Sequence, residues 1–364
     1  MQKKIFICST TKLCEINHHH TTEVRDFFLK NGYEVVSDPN TASDIVVMTC
    51  GALQISEDRS VEMIERLGAG TTDKSFYVMG CLPSIQPDLP ILRNIRVIGA
   101  RDMAALEEAF PATVPIGKID THRIDYDFLD VTDGNPNRYT IVVVQGCLGS
   151  CTYCAIHKAK GWAKSMPLLE VTRHFESILR KNSNASVALL GEDFGSYGSD
   201  IETDPVELLL RLTRYEGAYS IEIQNFEPSI FLHYYQRLRE IFLLNRIVKI
   251  HIAIQTGSQD VLRRMGRDYD IAAVVQAIED SCTLSPRLVL ETSFIINFPG
   301  ETHSDFLRTL ELLPKFDEVT VYNFSPRRGT KAASMSDDIS ATDKQTKIGM
   351  VLQLQQVHPG LVFM

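Results

Sequence analysis

Val143-Val144-Gln145-Gly146-Cys147-Leu148-Gly149-Ser150-Cys151-Thr152-Tyr153-Cys154 sets three thiols in one short loop directly behind a strongly apolar run. A strand leading into C-x-x-x-C-x-x-C reads as an iron-sulfur loop, because thiolates are the ligands that hold such clusters. A four-iron cubane normally takes four thiolates; this spacing supplies three, which leaves one iron without a protein ligand. An open position is what distinguishes a reactive metal site from a closed structural one. The competing readings are a zinc loop or three buried thiols, and no fourth Cys or His stands at ribbon spacing to favour the first.

Composition bounds what surrounds this loop. The 364 residues suit a small domain plus a barrel-like one, and 44% hydrophobic with 23% charged residues is typical of a globular chain. No apolar run approaches a membrane span and the N-terminus carries no signal-peptide pattern, so the expected location is cytoplasmic. Eight cysteines then read as metal ligands before disulfides, since cytosolic thiols are kept reduced. The net charge of -9 and the lack of a basic stripe disfavour nucleic acid as the main partner, because phosphate binding draws on clustered Lys and Arg.

Ahead of the loop, apolar runs at 4–8, 44–49, 75–80 and 96–99 read as strands. Amphipathic stretches at 21–31, 56–67 and 103–110 alternate with them as helices. Such alternation predicts a doubly wound parallel sheet. Cys14 follows the first strand, Cys50 ends the second and Cys81 ends the third. Strand carboxyl ends share one edge of a parallel sheet, where ligands bind, so these three thiols can converge on a second metal site. The bland reading makes each a small buried residue, and it suits Cys8 and Cys282. His18-His19-His20 beside Cys14 reads as a polar loop tip before a metal site.

Between 113 and 138 the periodicity is lost and Pro115, Gly134, Asn135, Pro136 and Asn137 accumulate, which reads as a connection between an N-terminal domain (1–112) and a second domain (139–335). The second domain shows apolar strands at 140–145, 186–190, 219–224, 248–255, 288–297 and 318–324, each followed by a helical stretch. Six strand-helix repeats predict a partial (β/α)6 barrel, with reactive loops after the strands. The run Leu190-Gly191-Glu192-Asp193-Phe194-Gly195-Ser196-Tyr197-Gly198 reads either as a plain turn or as a ligand loop. In the second case its glycines admit a close backbone approach and Glu192 accepts a hydrogen bond from an ammonium group. Arg263, Arg264 and Arg267 suit either a carboxylate or phosphate ligand or a solvated helix end. Residues 336–364 read as a helical tail with a short apolar end.

Together these stretches resemble the methylthiotransferase branch of the radical S-adenosylmethionine (radical SAM) enzymes. The resemblance is carried by an ordered set: Thr11-x-x-Cys14-x-x-Asn17, Thr49-Cys50, Gly80-Cys81, the Cys147/Cys151/Cys154 loop with Tyr153, Leu189-Leu190-Gly191, Tyr197-Gly198, Gln255-Thr256-Gly257-Ser258, Phe298-Pro299-Gly300-Glu301-Thr302 and Gly329-Thr330. It implies two 4Fe-4S clusters. Cys147, Cys151 and Cys154 would hold the catalytic one, where S-adenosylmethionine is cleaved to a radical that removes hydrogen from an unactivated carbon. Cys14, Cys50 and Cys81 would hold the one thought to carry the inserted sulfur. The resemblance also places Tyr153, Gly191, Glu192, Gln255, Thr256 and Ser258 at the cosubstrate, and calls for an electron donor such as flavodoxin or ferredoxin.

The chain departs from the family pattern in places. His157-Lys158-Ala159-Lys160-Gly161 stands where Pro-x-x-Arg-Gly is usual, Glu192 where Gln is usual, and His20-Thr21-Thr22 where Asp-Ser-Glu is usual. Residues 331–364 read as too few for the family's C-terminal TRAM-type β-barrel, which is therefore not expected in this stretch. With the acidic charge, these departures lead to the expectation of a peptide or small-molecule substrate. The alternatives are tRNA adenosine methylthiolation, with Arg263, Arg264, Arg267, Arg327 and Arg328 on phosphates, or a radical SAM enzyme whose second cluster only transfers electrons.

Overall fold

The computed structural model describes residues 3–69, 74–93, 95–131 and 135–364; Gly134 of the expected connection lies outside them. The chain divides into two compact units, Met1–Thr140 with Ala155–Gly161, and Ile141–Cys154 with Trp162–Met364.

The first unit is built on β1 (Lys4–Ser9), β2 (Glu34–Val36), β3 (Asp44–Thr49), β4 (Ser75–Gly80) and β5 (Arg96–Gly99), in the order β2-β1-β3-β4-β5 with every pair parallel. All six residues of β3 are buried, as a continuous apolar run in a sheet covered on both faces requires. Alternate residues serve opposite faces. Val46, Met48, Tyr77 and Met79 pack with Val24, Phe27 and Phe28 of α1 (Glu15–Lys30) and with Leu106 of α4 (Ala105–Ala109). Ile45, Val47 and Val78 pack with Ile64 and Leu67 of α2 (Gln54–Gly68) and Leu82 of α3 (Cys81–Ile85). Phe28 meets Phe110 edge to face with centroids 4.8 Å apart, and each such buried ring contributes about 1.5–3 kcal/mol.

Here the structure differs from the sequence reading in three ways. The first helix begins at Glu15, not at residue 21, and buries His18, His19 and His20, which are no loop tip. Side-chain partners explain their burial: His18 Nε2 donates to Thr11 O (2.9 Å), His19 Nδ1 lies 2.8 Å from Thr140 Oγ1, and His20 Nδ1 lies 3.0 Å from Glu23. Burial lowers the His18 pKa, although its bond to Thr11 opposes the shift. Residues 113–138 belong to the first unit and are no bare connection. Asn31 accepts from the Thr113 and Val114 N–H groups at 2.7 and 2.9 Å, Ile116 and Ile119 join the core, and Asp125, heading α5 (Tyr126–Leu129), pairs with Arg25. Finally, the segment directly after Cys154 is part of this unit. Its helix α6 (Ile156–Lys160) packs Ala155 and Ala159 against Ile85 and Ala100, beside Cys81.

The second unit holds β6 (Arg138–Gln145), β7 (Lys164–Ser165), β8 (Ser186–Gly191), β9 (Ser220–Phe226), β10 (Ile247–Ile252), β11 (Val289–Ile296), β12 (Glu318–Asn323) and β13 (Leu361–Phe363) in one open sheet, ordered β13-β12-β11-β10-β9-β8-β6-β7. The six strands expected of the partial barrel are β6 and β8 to β12. Helices α7 (Leu168–Lys181), α8 (Pro205–Leu212), α9 (Pro228–Phe242), α10 (Gln259–Arg264), α11 (Ile271–Leu284) and α12 (His303–Leu310) return the chain between them. Two strands of this unit were unforeseen, as β2 was in the first: β7, a two-residue antiparallel partner of β6, and β13. The expected tail is thus part of this unit. Its helix α13 (Ala341–Gln355) returns the chain so that Leu361 pairs with Val319, in parallel, at the edge of the sheet. None of the described helices is long and apolar enough to cross a membrane.

Gly80, the residue before Cys81, has φ +104°, and a β-carbon there would stand 2.4 Å from Thr49 O. Gly80→Ala should therefore lower unfolding stability by about 2 kcal/mol or more, measured by denaturant titration of cluster-free protein; unchanged stability would refute the close approach.

Candidate metal centres

In the second unit, parallel strands bring their following loops to one edge, and the three-thiol loop leaves β6 at that edge through Gly146 (φ +81°). Within the loop, Cys154 N–H donates to Cys151 O at 3.2 Å. Its fixed points come from elsewhere in the unit. Gly146 N–H donates to Glu192 Oε2 (2.7 Å), and Leu148 N–H to Ser196 Oγ (3.0 Å), whose hydroxyl bonds Asp193. Thr152 is held three times, to Met265 O (2.9 Å), Arg264 O (2.9 Å) and Ala332 N–H (2.8 Å). Arg267 Nε donates to the Tyr153 hydroxyl (3.1 Å), while its Nη1 pairs with Glu227 (3.2 Å), the carboxylate that caps α9.

This arrangement relocates several residues. Arg267 is not a solvated helix end, and Arg327 is 3% exposed, so neither is a surface cation. Arg263 stands outside, 64% exposed against Asp260. Gly191 is dictated by packing, since a β-carbon there would meet Val144 Cγ1 at 2.5 Å; at Gly198 it would meet Thr203 O at 2.4 Å. Thr256 and Ser258 are wholly buried. Ser258 caps α10 and donates to Asp305 Oδ1 (2.6 Å), and Thr256 Oγ1 lies 3.3 Å from Thr309 Oγ1. Gln255 extends the sheet by bonding both Ser293 O and Ile295 N–H, with φ +71°. Asn225 (φ 56°) and Asn297 (φ 61°) share this conformation at the ends of β9 and β11. Left-handed backbone at non-glycine residues costs about 1–3 kcal/mol and gathers at functional sites. The sequence carries no local signal for the Arg267, Glu227 and Tyr153 group, because its members are far apart in the chain.

The first unit has a corresponding arrangement. Cys14 stands at the N-cap of α1, Cys50 directly follows β3 and Cys81 opens α3, so all three lie at the carboxyl ends of the adjacent strands β1, β3 and β4. Hydroxyl and amide groups fix the backbone beside them. Ser60 Oγ accepts from Cys50 N–H (3.2 Å), lies 2.9 Å from Cys50 O and 2.7 Å from Thr10 Oγ1. Asn17 Nδ2 donates to Thr49 O (3.2 Å), and Thr49 Oγ1 to Met79 O (2.6 Å). Asn17 was visible beforehand as part of the first cysteine motif; Ser60 was not.

The thiol sets suit iron-sulfur clusters by donor chemistry. A β-carbon on Gly149 would stand 3.6 Å from both the Cys147 and Cys151 sulfurs, so glycine keeps the space between them clear. Burial, with the neighbouring thiols and Asp193, pushes the Cys147 thiol up to about 12, and a thiolate there calls for a cation. Three soft ligands, with no fourth in the loop, would leave one iron of such a cluster open.

Residues 141–313 match the Radical SAM superfamily, and residues 7–97 the Uncharacterized protein family UPF0004. A probable threonylcarbamoyladenosine tRNA methylthiotransferase of Pyrococcus abyssi is 32% identical over 83% of this chain and 72% of its own. The chain belongs to the radical SAM methylthiotransferase family. The Thermotoga maritima threonylcarbamoyladenosine tRNA methylthiotransferase MtaB is 27% identical over 93% of this chain and 79% of its own. Among solved structures, the radical SAM methyltransferase TsrM of Kitasatospora setae superposes with a TM-score of 0.60 at 13% identity, over 88% of this chain and 75% of that one, a likeness of fold. Enzymes of this family are transferases that use 4Fe-4S clusters and S-adenosylmethionine.

Because Glu192 holds the first N–H of the loop, Glu192→Ala should leave the cluster about tenfold easier to strip with a chelator, whereas Glu192→Gln keeps an acceptor and the iron. Equal iron loss in both, or in neither, would remove the clamp role.

Proposed function

We propose that the chain is a tRNA methylthiotransferase acting on an N6-modified adenosine, with N6-threonylcarbamoyladenosine the favoured base. The observation that carries this reading is the match to tRNA methylthiotransferases over 83% of the chain, and the two family matches, over residues 7–97 and 141–313, take in the thiol sets. The peptide or small-molecule substrate expected from the acidic balance finds no support among these relatives. Net charge is a whole-chain quantity, whereas tRNA contact depends on charge around one mouth. Arg263 and Arg264, exposed at the end of α10, and Arg308 on α12 are basic groups available in the loops and helices after β10 and β11.

In this reading Cys147, Cys151 and Cys154 hold the cluster that works with S-adenosylmethionine, and Cys14, Cys50 and Cys81 hold the second. When bound, the clusters and S-adenosylmethionine supply one-electron cleavage, and the sulfur and methyl group that are inserted. The chain's own residues position them. Glu192, Ser196, Arg267 and Met265 fix the loop, and Tyr153 packs its ring edge-on to Phe298 with centroids 6.3 Å apart. Gln255, beside the buried Thr256 and Ser258, presents backbone at the end of β10. A reduced flavodoxin or ferredoxin serves as the electron source.

Two outcomes test these assignments. Anaerobically reconstituted protein should hold two four-iron clusters, and replacing Cys14, Cys50 and Cys81 by Ala should remove one while leaving S-adenosylmethionine cleavage intact. Iron for a single cluster in the unaltered protein would end the two-cluster assignment, and a product two hydrogens lighter would make the second cluster an electron carrier. Turnover with tRNA bearing threonylcarbamoyladenosine should add a methylthio group to that nucleoside. Binding of that tRNA should weaken steeply with salt, with a logarithmic slope near 0.9 per phosphate contacted or somewhat less in single-stranded loops. Salt-insensitive binding with no modified nucleoside would defeat the tRNA reading and leave the cluster assignments standing.

A further inference from the structure

The C-terminal helix α13 carries one residue unlike its neighbours. Lys347 is 1% exposed, and its Nζ donates to Glu301 Oε2 at 2.7 Å and to Glu301 O at 3.2 Å. Glu301 is itself fully buried within the turn Asn297-Phe298-Pro299-Gly300-Glu301 behind β11. Its Oε2 also accepts from Asn297 N–H at 2.8 Å, which closes the turn across the left-handed Asn297. Two further acceptors of this turn, Glu301 Oε1 and Asn297 Oδ1, are buried without a hydrogen-bond partner among the described residues. The polar side of the turn is therefore an acceptor-rich, desolvated pocket, and Lys347 is the cation that meets it. A buried carboxylate left without its cation is costly, because neither water nor another charge compensates it.

What the turn carries gives the pair its reach. Phe298 lies between Phe324, with centroids 5.0 Å apart, and Tyr153 of the thiol loop. Thr302 and Asp305, directly after Glu301, form the capping box of α12, and Asp305 receives the hydroxyl of Ser258. Moving the turn thus moves groups on both sides of the loop that follows β10.

We infer that Lys347 is a positioning residue: by neutralising Glu301 it holds the 297–301 turn, and with it Phe298 against Tyr153, in the form that binds S-adenosylmethionine. The role concerns the cosubstrate and stands whether or not tRNA is the substrate.

The test compares Lys347→Met, which strips Glu301 of its cation, with Lys347→Met/Glu301→Gln, which keeps an acceptor for Asn297 N–H but removes the buried charge. The readouts are the KM and kcat for S-adenosylmethionine cleavage without substrate, and the change in the electron paramagnetic resonance spectrum of the reduced cluster on adding S-adenosylmethionine. In Lys347→Met the KM should rise about tenfold or more with iron content retained, and the spectral change should be lost. The double variant should return KM to within about threefold of the parent and restore the spectral change. A parental KM and spectral response in Lys347→Met would overturn the inference. So would a double variant as impaired as the single, which would make bulk packing of α13 the cause. If Lys347→Met does not fold, the neutral pair carries the test, and failure of that protein to bind S-adenosylmethionine overturns the inference equally.

Discussion

Three thiols spread over eight residues are aimed at one cluster by a loop whose backbone is held chiefly by groups from other segments. Each must give up its proton to bind iron, and burial with the neighbouring thiols and Asp193 opposes that loss at Cys147. The loop is held from outside. Glu192 and Ser196 take its first N–H groups, Met265, Arg264 and Ala332 grip Thr152, and Arg267 fixes Tyr153. Those groups come from the segments after β8, β10 and β12, and a parallel sheet is what delivers such segments to a common edge. The fold of the second unit is thus a requirement of the loop.

The first unit solves the same problem with different means. Its thiols belong to three separate strand ends, so the sheet spaces them, and short polar side chains only trim the backbone. Ser60 bridges Cys50 to Thr10 on the neighbouring strand end, and Asn17 reaches from α1 to Thr49. The buried histidines of α1 are part of this economy. Two of them carry polar bonds to Thr11 and Thr140 that let a helix of unremarkable propensity pack against the sheet.

Strands buried on both faces announce themselves, and Asp44–Thr49 was legible to the residue for that reason; Ser75–Gly80, buried over its last four residues, and the short edge strand Arg96–Gly99 were legible as apolar runs. With them came the placement of Cys50 and Cys81, since a thiol at the end of such a run has one address in a parallel sheet. Shorter edge strands were not legible: β2, β7 and β13 have two or three residues each, too few for periodicity to register. Long-range polar pairing was equally hidden. Arg267 reads locally as the end of a charged helix, and its burial depends on Tyr153, 114 positions away, and Glu227, 40 away. The run from Thr113 to Arg138 looked like a linker because its residues favour turns, but Asn31 and Arg25 supply the partners that turn-rich backbone needs.

Strain and buried charge are distributed unevenly, and the distribution bears on function. Of the non-glycine residues with left-handed backbone, Asn225, Gln255 and Asn297 stand at the ends of β9, β10 and β11. Lys347 with Glu301 places a buried ion pair, and Arg267 with Glu227 a part-buried one, beside them. A hydrophobic pair of equal size would serve stability as well or better, so stability alone does not account for either pair. Left-handed backbone at asparagine and glutamine is likewise a cost that only surrounding contacts can sustain. Such features are expected where groups must be held ready before the reactants arrive, because preorganisation removes the reorganisation that would otherwise slow the reaction. In the first unit, the left-handed position beside Cys81, Gly80, is a glycine. The second unit thus bears the marks of a site under geometric demand, and the first those of a holder whose task is to keep three sulfurs at the ends of neighbouring strands.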